Sequence, residues 1–231
     1  MDERPQAWPK LLQAVVVLAM PLALLAASLR LTTGHWLVDW EYGRPGFPPD
    51  PYGLATEERI RLAEVCVDYL VTAAGIELLA ELELAGGQPA FNARELQHMI
   101  DVKRVLWGLL GAGLAAAVLV SGGTALLARH PATRARAPAA LWRGSLLSIG
   151  LLVAVGGFML LQWDAFFVRF HELFFPPGTW TFFYSDTLIR LYPVRFWMDV
   201  GIVIVGGITV LAVLVGLGAL LWRRIIKNKN L

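Results

Sequence analysis

The sequence has few charged residues and almost no cysteine, and each shortage excludes a class of protein. Only 16% of the 231 residues are Asp, Glu, Lys or Arg, whereas soluble domains carry about 25%. The net charge of +2 provides no strongly basic surface, which predicts no nucleic-acid partner. The single cysteine, Cys66, excludes an intramolecular disulfide and a cysteine-cluster metal site. Apolar residues, by contrast, make up 57% of the chain.

Several catalytic signatures are also missing. The sequence contains no G-x-S-x-G nucleophile elbow, no phosphate-binding glycine loop and no zinc signature such as H-E-x-x-H. We therefore predict a protein without a bound metal or cofactor. Polar side chains inside the apolar runs are few, which disfavours an ion or proton path through a bilayer.

The apolar residues are collected into four runs, each long enough to cross a hydrocarbon core, which takes about 20 residues. The runs cover approximately residues 11–29, 105–128, 144–163 and 197–222. The first run is longer than the apolar part of a usual signal peptide, so we expect it to be retained. The sequence thus predicts an all-α polytopic membrane protein with four transmembrane helices, in a single membrane domain over residues 1–231.

The basic residues predict how the chain is oriented. The linker 129–143 and the tail 223–231 contain arginine and lysine but no acid, and such segments stay in the cytoplasm. Residues 1–10 are then cytoplasmic too, and residues 31–104 and 164–196 lie outside a bacterial cytoplasmic membrane. The basic residues used are Arg129, Arg134, Arg136, Arg143, Arg223, Arg224, Lys227 and Lys229.

The first outer segment is predicted to be mainly helical. Residues 31–56 are rich in proline, glycine and aromatic residues and predict an irregular stretch. Apolar spacing predicts a helix from Glu57 that ends at Gly86-Gly87. Asn92 and Glu95 have the spacing of a capping box, so a further helix begins there and continues without a break into the second span.

The second outer segment is predicted to combine extended chain with a short helix. The third span is expected to continue as one helix to His171 and to stop at Pro176-Pro177. Residues 179–184 are expected to be extended, and a short helix is expected to begin at Ser185-Asp186.

Two of the four histidines are candidates for chemistry. His98 and His171 each lie about two helical turns, or roughly 10 Å, outside an apolar run, which predicts one common level on the outer face. Asp101 follows His98 by three residues and Glu172 follows His171 directly, so each histidine has an acid nearby. The alternative is that they are interfacial polar residues. We expect simpler roles, interfacial, loop and core, for His35, His130 and Cys66.

Three stretches resemble the family of bacterial lipoprotein intramolecular transacylases, Lit. The first is FNARELQHMIDVK, from Phe91 to Lys103. The second runs from His171 through Trp180 to Pro193 and continues in Phe196-Trp197. The third is the opening of the outer helix, YGLATEER followed by Asp68-Tyr69-Leu70. The resemblance spans the chain, including its four spans and large first outer segment, whereas residues 84–89 match nothing in the family.

The resemblance implies an acyltransferase acting on diacylglyceryl-modified bacterial lipoproteins among the phospholipids of the membrane. The family moves the sn-2 acyl chain of the diacylglyceryl group to the α-amine of the lipoprotein's N-terminal cysteine. The product is an N-acyl, S-monoacylglyceryl lipoprotein. His98 and His171 occupy the positions of the family's functional histidines.

The chemistry suggests a role for each histidine. An α-amine with a pKa near 8 is matched to an imidazole with a pKa near 6.5, so we assign His98 as the base, oriented by Asp101 or Glu95. His171 would then donate to the leaving glyceryl oxygen or to the developing oxyanion. The sequence leaves open the reverse assignment, with His171 as the base and His98 as the donor. It also leaves open a stepwise route through acyl-histidine.

Three further residues of the second outer segment are assigned supporting roles. Arg190 or Tyr184 would assist in stabilising the oxyanion. Asp186 is the third supporting residue. The alternative for Asp186 and Arg190 is a structural ion pair that fixes the second outer segment.

Two non-enzymatic readings compete with acyl transfer. In one, His98 and His171 ligate a haem in a membrane redox subunit. In the other, the chain is an accessory subunit of a transporter that recognises a lipidated partner without reacting with it.

Overall fold

A computed structural model describes residues 7–228 and contains nine helices and no strand within that range. Residues 1–6 and 229–231 lie outside the described residues. They include Lys229 and belong to the predicted cytoplasmic segments 1–10 and 223–231. The helices are α1 (Trp8–Thr32), α2 (His35–Gly43), α3 (Thr56–Val71), α4 (Glu77–Ala80), α5 (Ala93–Arg129), α6 (Arg136–Leu161), α7 (Trp163–Phe174), α8 (Thr187–Leu191) and α9 (Val194–Asn228).

Four of these helices are long and apolar enough to cross a membrane: α1, α5, α6 and α9. They cover the four apolar runs, except that α6 ends at Leu161 and leaves out the last residues of the third run, and the prediction of an all-α protein with four spanning helices is confirmed. With 37 and 35 residues, α5 and α9 are much longer than the roughly 20 residues that a span requires. Both therefore carry chain beyond the length of a single crossing.

The start of α5 is fixed by the predicted capping box. The side-chain oxygen of Asn92 accepts the backbone N–H groups of Arg94 and Glu95 at 3.0 and 3.1 Å. In return, a carboxylate oxygen of Glu95 accepts the N–H of Asn92 at 2.7 Å. Because these bonds satisfy the free N–H groups of the first turn, the helix begins here and continues unbroken to Arg129, as predicted.

The third span does not continue to His171 as predicted. Helix α6 ends at Leu161, and Gln162 adopts φ −140° and ψ 54°, outside the helical region. The carbonyl of Gln162 accepts the N–H of Phe166 at 2.8 Å and so starts the separate helix α7. The prediction was wrong because the apolar spacing continues across residues 144–174. A break of one non-helical residue does not change that spacing.

The first outer segment also differs from its prediction. Residues 31–56 are not irregular throughout, since α2 occupies part of them. The helix predicted to reach Gly86-Gly87 ends at Val71, where the Thr72 hydroxyl and N–H both donate to the carbonyl of Asp68. Gly87, with φ +74°, then forms a tight turn inside a short antiparallel bridge between Glu83 and Pro89. The short helix α8 begins after Asp186, as predicted.

The chain packs as two compact units. The first comprises the described parts of Met1–Leu29, Leu109–Leu161 and Ile204–Leu231, and the second comprises Arg30–Gly108 and Gln162–Val203. In the first unit the glycine at position 113 packs directly on Ala26, where a Cβ would collide, a close approach typical of helices packed inside membranes. The prediction of a single membrane domain over residues 1–231 stays a prediction.

The second unit has its own apolar core. One cluster joins α3, α5 and α8, and a smaller one joins α2 and α3. Arg59 of α3 is 2% exposed and donates to the backbone carbonyls of Arg190 and Pro48. The guanidinium thereby holds the second outer segment against α3. The first cluster contains Leu62, Cys66, Tyr69, Leu79, Ala90, Phe91, Met99, Leu188 and Leu191.

Candidate functional site

The two predicted catalytic histidines meet within the second unit. His98 lies in the second turn of α5, and His171 lies in the last turn of α7. Their imidazole rings are nearly parallel, at 21°, with centroids 6.1 Å apart. Both side chains are half-buried. Two histidines far apart in the sequence are thus close enough to act on one small group.

Several aromatic side chains surround the two imidazoles, and we call four of them the aromatic enclosure: Phe167, Phe175, Trp180 and Phe182. Phe175 contacts both histidines, with its centroid 4.9 Å from that of His98 and 5.4 Å from that of His171. Phe182 lies 5.3 Å from His98, whereas Phe167 and Trp180 lie 4.0 and 5.0 Å from His171. The histidines therefore sit among apolar rings rather than among charges.

Sequence reasoning missed the aromatic enclosure as a feature of the site. Its members are ordinary membrane-interface residues by type, and Phe175 and Trp180 entered the sequence analysis only as part of the second family stretch. The available signal was the density of aromatic residues between Phe166 and Phe183. That density does not indicate which rings turn towards the histidines.

The backbone fixes which nitrogen of His171 carries the proton in the neutral form. Nδ1 lies 2.7 Å from the carbonyl oxygen of Phe167. A carbonyl oxygen only accepts, so Nδ1 carries the hydrogen and donates it, which leaves the lone pair on Nε2. Burial lowers the pKa of His171 below its ordinary value, and the bond to Phe167 opposes this only in part. His171 is therefore a neutral imidazole with an accepting Nε2 at neutral pH.

His98 has a different environment. Its Nδ1 is buried and has no hydrogen-bond partner within residues 7–228. The predicted partner Asp101 instead accepts from Gln97 at 3.3 Å and from Arg104 at 2.9 Å. Asp101 has an arginine three residues ahead as well as a histidine three residues behind, and the arginine is the one it binds. Within the described chain, no carboxylate orients His98.

Glu95, the second predicted partner of His98, joins two elements of the unit instead. One oxygen closes the capping box on Asn92, and the other accepts the N–H of Leu188 at 2.7 Å. The side chain is 1% exposed. Since both oxygens are bound to backbone N–H groups, Glu95 positions α8 against α5 and is not available to His98.

Asp186 likewise connects the second outer segment to the start of α5. Its oxygens accept from the N–H of Phe183 at 2.9 Å and from the amide of Asn92 at 3.1 Å. The guanidinium of Arg94 lies 3.6 Å away. This carboxylate therefore helps to hold the chain that follows Phe182 next to the helix that carries His98.

Arg190 and Tyr184, the predicted oxyanion-stabilising residues, are placed elsewhere. Arg190 binds the buried carboxylate of Asp50 through Nε at 3.1 Å and Nη2 at 2.9 Å. Tyr184 is 82% exposed. The ion pair predicted for Asp186 and Arg190 does not form between these two residues: Arg190 pairs with Asp50, and Asp186 lies at a longer distance from Arg94.

The described residues contain no group of three or more His, Cys, Asp or Glu side chains that could hold a metal ion. The arrangement combines the imidazole of His171, whose Nε2 can accept a proton, with that of His98, whose Nδ1 has no partner. The aromatic enclosure surrounds both. Such a set can transfer protons in a site from which water is largely displaced.

Comparisons with known proteins agree with this architecture. The family model described as lipoprotein intramolecular transacylase Lit matches residues 14–197, a span that begins within α1, ends within α9 and includes both histidines. A protein of Aquifex aeolicus (strain VF5), described as uncharacterized, is 33% identical over 190 residues, which cover 82% of this chain and 84% of that protein.

Solved structures share the fold. The membrane integral lipoprotein intramolecular transacylase Lit from Bacillus cereus superposes with a TM-score of 0.72 at 20% identity, over 96% of this chain and 98% of that chain. A histidine-to-alanine variant of the Bacillus cereus protein superposes with a TM-score of 0.74 at 22% identity, over 96% of both chains.

Proposed function

The chain belongs to the lipoprotein intramolecular transacylase Lit family and is a multi-pass membrane acyltransferase, and on that premise we propose its specific reaction. The substrate is a lipoprotein whose N-terminal cysteine carries a thioether-linked diacylglyceryl group. The sn-2 acyl chain moves from its ester to the α-amine of the same cysteine. The product is an N-acyl, S-monoacylglyceryl lipoprotein.

The observation that carries this proposal is the pair of imidazoles inside the aromatic enclosure. Acyl transfer from ester to amine needs one proton removed from nitrogen and one delivered to the leaving oxygen, which two histidines supply. Rings 6.1 Å apart suit a compact reacting group, such as the ring of about eight atoms formed when the amine meets the ester of its own molecule. Apolar rings limit water, which would otherwise hydrolyse the ester.

The hydrogen bond of His171 supports the reverse of the assignment made from sequence. With Nδ1 donating to Phe167, the Nε2 lone pair of His171 takes the proton of the attacking amine. His98, with no carboxylate to orient it, donates a proton to the glyceryl oxygen as that oxygen leaves. Membership of an acyltransferase family favours this reading over the haem-binding and transporter-subunit alternatives.

The proposed orientation follows from the basic residues and the substrate. We assign the protein to the bacterial cytoplasmic membrane, with both termini in the cytoplasm and the histidines facing outward. This orientation gives the histidines access to diacylglyceryl lipoproteins among the phospholipids of the outer leaflet. No cofactor is invoked, because conversion of an ester to an amide is downhill.

Expression in a bacterial host that accumulates diacylglyceryl lipoproteins with a free amine tests the proposal. The reaction is an isomerisation and leaves the total mass unchanged, so the readout is tandem mass spectrometry together with labelling of free amines. We expect fragments carrying an N-linked acyl chain and loss of amine labelling. Lipopeptides that keep their free amine and both ester-linked chains would instead support a non-enzymatic accessory subunit.

The pH dependence of the reaction should show the titration of His171, whose pKa is lowered by burial. Both the substrate amine, with a pKa of about 8, and His171 must be deprotonated. A plot of log kcat/KM against pH should therefore rise with a slope of two at low pH and a slope of one between the two pKa values. Because burial lowers the pKa of His171, the change from two to one should fall below pH 6.5. A change of slope above that pH would contradict the assignment.

A further inference from the structure

Trp180, a member of the aromatic enclosure, has an unused hydrogen-bond donor. Its indole nitrogen is buried and has no acceptor within the described residues. An indole N–H can only donate, so no change of protonation or tautomer relieves it. Leaving a buried donor unpaired is energetically unfavourable, which is why buried indole N–H groups usually have partners. The ring lies against His171, with centroids 5.0 Å apart.

The proposed reaction needs a donor of this kind. When an amine adds to an ester carbonyl, the carbonyl oxygen becomes an oxyanion, which fixed hydrogen-bond donors stabilise. The two residues assigned to this role from sequence are unavailable. Arg190 is bound to Asp50, and Tyr184 is almost fully exposed. His171 and His98 are both occupied with proton transfer.

We propose that Trp180 is a catalytic residue whose indole N–H donates to the carbonyl oxygen of the sn-2 ester as it becomes the oxyanion. The inference rests on the proposed acyl transfer. The amine nitrogen bonds to the carbonyl carbon, the carbonyl π pair moves to the oxygen facing Trp180, and His171 Nε2 takes the amine proton. The oxyanion then reforms the carbonyl, the glyceryl C–O bond breaks as His98 donates its proton to the glyceryl oxygen, and the proton taken by His171 restores His98.

Arg94 is the competing donor and fits the role less well. Its Nε is also buried without a partner. Its guanidinium, however, lies 3.6 Å from the carboxylate of Asp186 and faces the rings of Phe182 and Phe183. The contacts of Arg94 are with Phe182, Phe183 and Asp186, whereas Trp180 packs directly on the imidazole assigned as the base.

Replacing Trp180 with β-(3-benzothienyl)alanine tests the donor alone, because sulfur replaces the N–H while the two-ring shape remains. We expect kcat to fall on the order of 10²-fold, the effect of removing one oxyanion donor, with KM changed by less than about threefold. Trp180→Phe should show a similar loss. The matched control is Trp107→Phe, since the Trp107 N–H donates to the carbonyl of Leu70 and not to a substrate.

The possible results distinguish a failure of the role proposed for Trp180 from a failure of the proposed acyl transfer. A benzothienyl variant with kcat within about threefold of the unmodified protein, which itself forms N-acyl product, overturns the role of Trp180 alone. Absence of N-acyl product from the unmodified protein overturns both proposals. A loss confined to KM would make Trp180 a packing surface for the acyl chain and would also overturn the proposed role.

Discussion

Replacing either His98 or His171 with asparagine is expected to abolish formation of the N-acyl lipoprotein. Asparagine keeps the approximate size of the side chain and a hydrogen-bonding amide, but it has no nitrogen that accepts a proton near neutral pH. General acid–base catalysis contributes about 10² to 10⁴-fold, so each variant should lose at least 10²-fold in kcat. Product is measured by tandem mass spectrometry with purified protein and a defined diacylglyceryl lipopeptide.

The other two histidines provide matched controls. His35 pairs with the exposed carboxylate of Asp68 at 2.8 Å, and His130 lies against the ring of Trp8. Neither contacts the aromatic enclosure, and an exposed ion pair contributes at most about 1 kcal/mol. His35→Asn and His130→Asn should therefore keep full activity. Full activity in His98→Asn or His171→Asn would show that the site is wrongly assigned.

The double variant examines whether the two histidines act in one step. Groups that stabilise the same transition state are strongly non-additive when removed together. We therefore expect the variant lacking both histidines to lose little more activity than the worse single variant. Losses that multiply would indicate that His98 and His171 serve separate steps, as in a stepwise route through acyl-histidine.

Much of the fold follows from local rules that a sequence displays. The four spans follow from apolar runs of sufficient length, and the start of α5 follows from the reciprocal spacing of Asn92 and Glu95. The break at Gln162 could not be predicted in this way. It involves one residue, and the apolar pattern on both sides is compatible with a single helix.

The pair of histidines in the candidate site was predictable, but their partners were not. His98 and His171 were found from their distance outside the spans and from the family stretches. The choice of Asp101 as partner failed because spacing on a helix offers both His98 and Arg104, and sequence alone does not decide between them. Arg190 and Asp50 are 140 residues apart, and nothing local predicts that they pair.

Arg190 and Asp50 form a buried ion pair in the second unit. The side chain of Asp50 is 0% exposed and that of Arg190 is 12% exposed. Burial alone would raise the pKa of Asp50, but hydrogen bonds from Arg190 and from the N–H of Leu54 outweigh it and lower the pKa. Asp50 is therefore a buried carboxylate. Its contribution to stability is present above the ordinary pKa of an aspartate and is lost as the pH falls through the lowered value.

Removing the arginine alone should destabilise the protein strongly. Arg190→Met leaves Asp50 charged, buried and unpaired, which costs about 3–5 kcal/mol. Cys66 reports the loss, because it is 0% exposed and burial raises the pKa of its thiol to about 12, so a thiol-reactive fluorophore labels it only on unfolding. The labelling midpoint should fall by roughly 10 °C. Arg61→Met, which breaks the partly exposed pair with Glu58, should lower it little.

Replacing both partners distinguishes a structural role for Arg190 from the catalytic one assigned from sequence. In Asp50→Asn with Arg190→Met, neither member of the pair is charged, and the asparagine oxygen can still accept the N–H of Leu54. Because swapping a buried pair for neutral side chains is often nearly neutral, most of the lost stability should return. If Arg190 serves only to fix the second outer segment, acyl transfer should return with it. A double variant that regains its labelling midpoint but stays inactive would restore Arg190 to the chemistry and remove the main reason for assigning the oxyanion to Trp180.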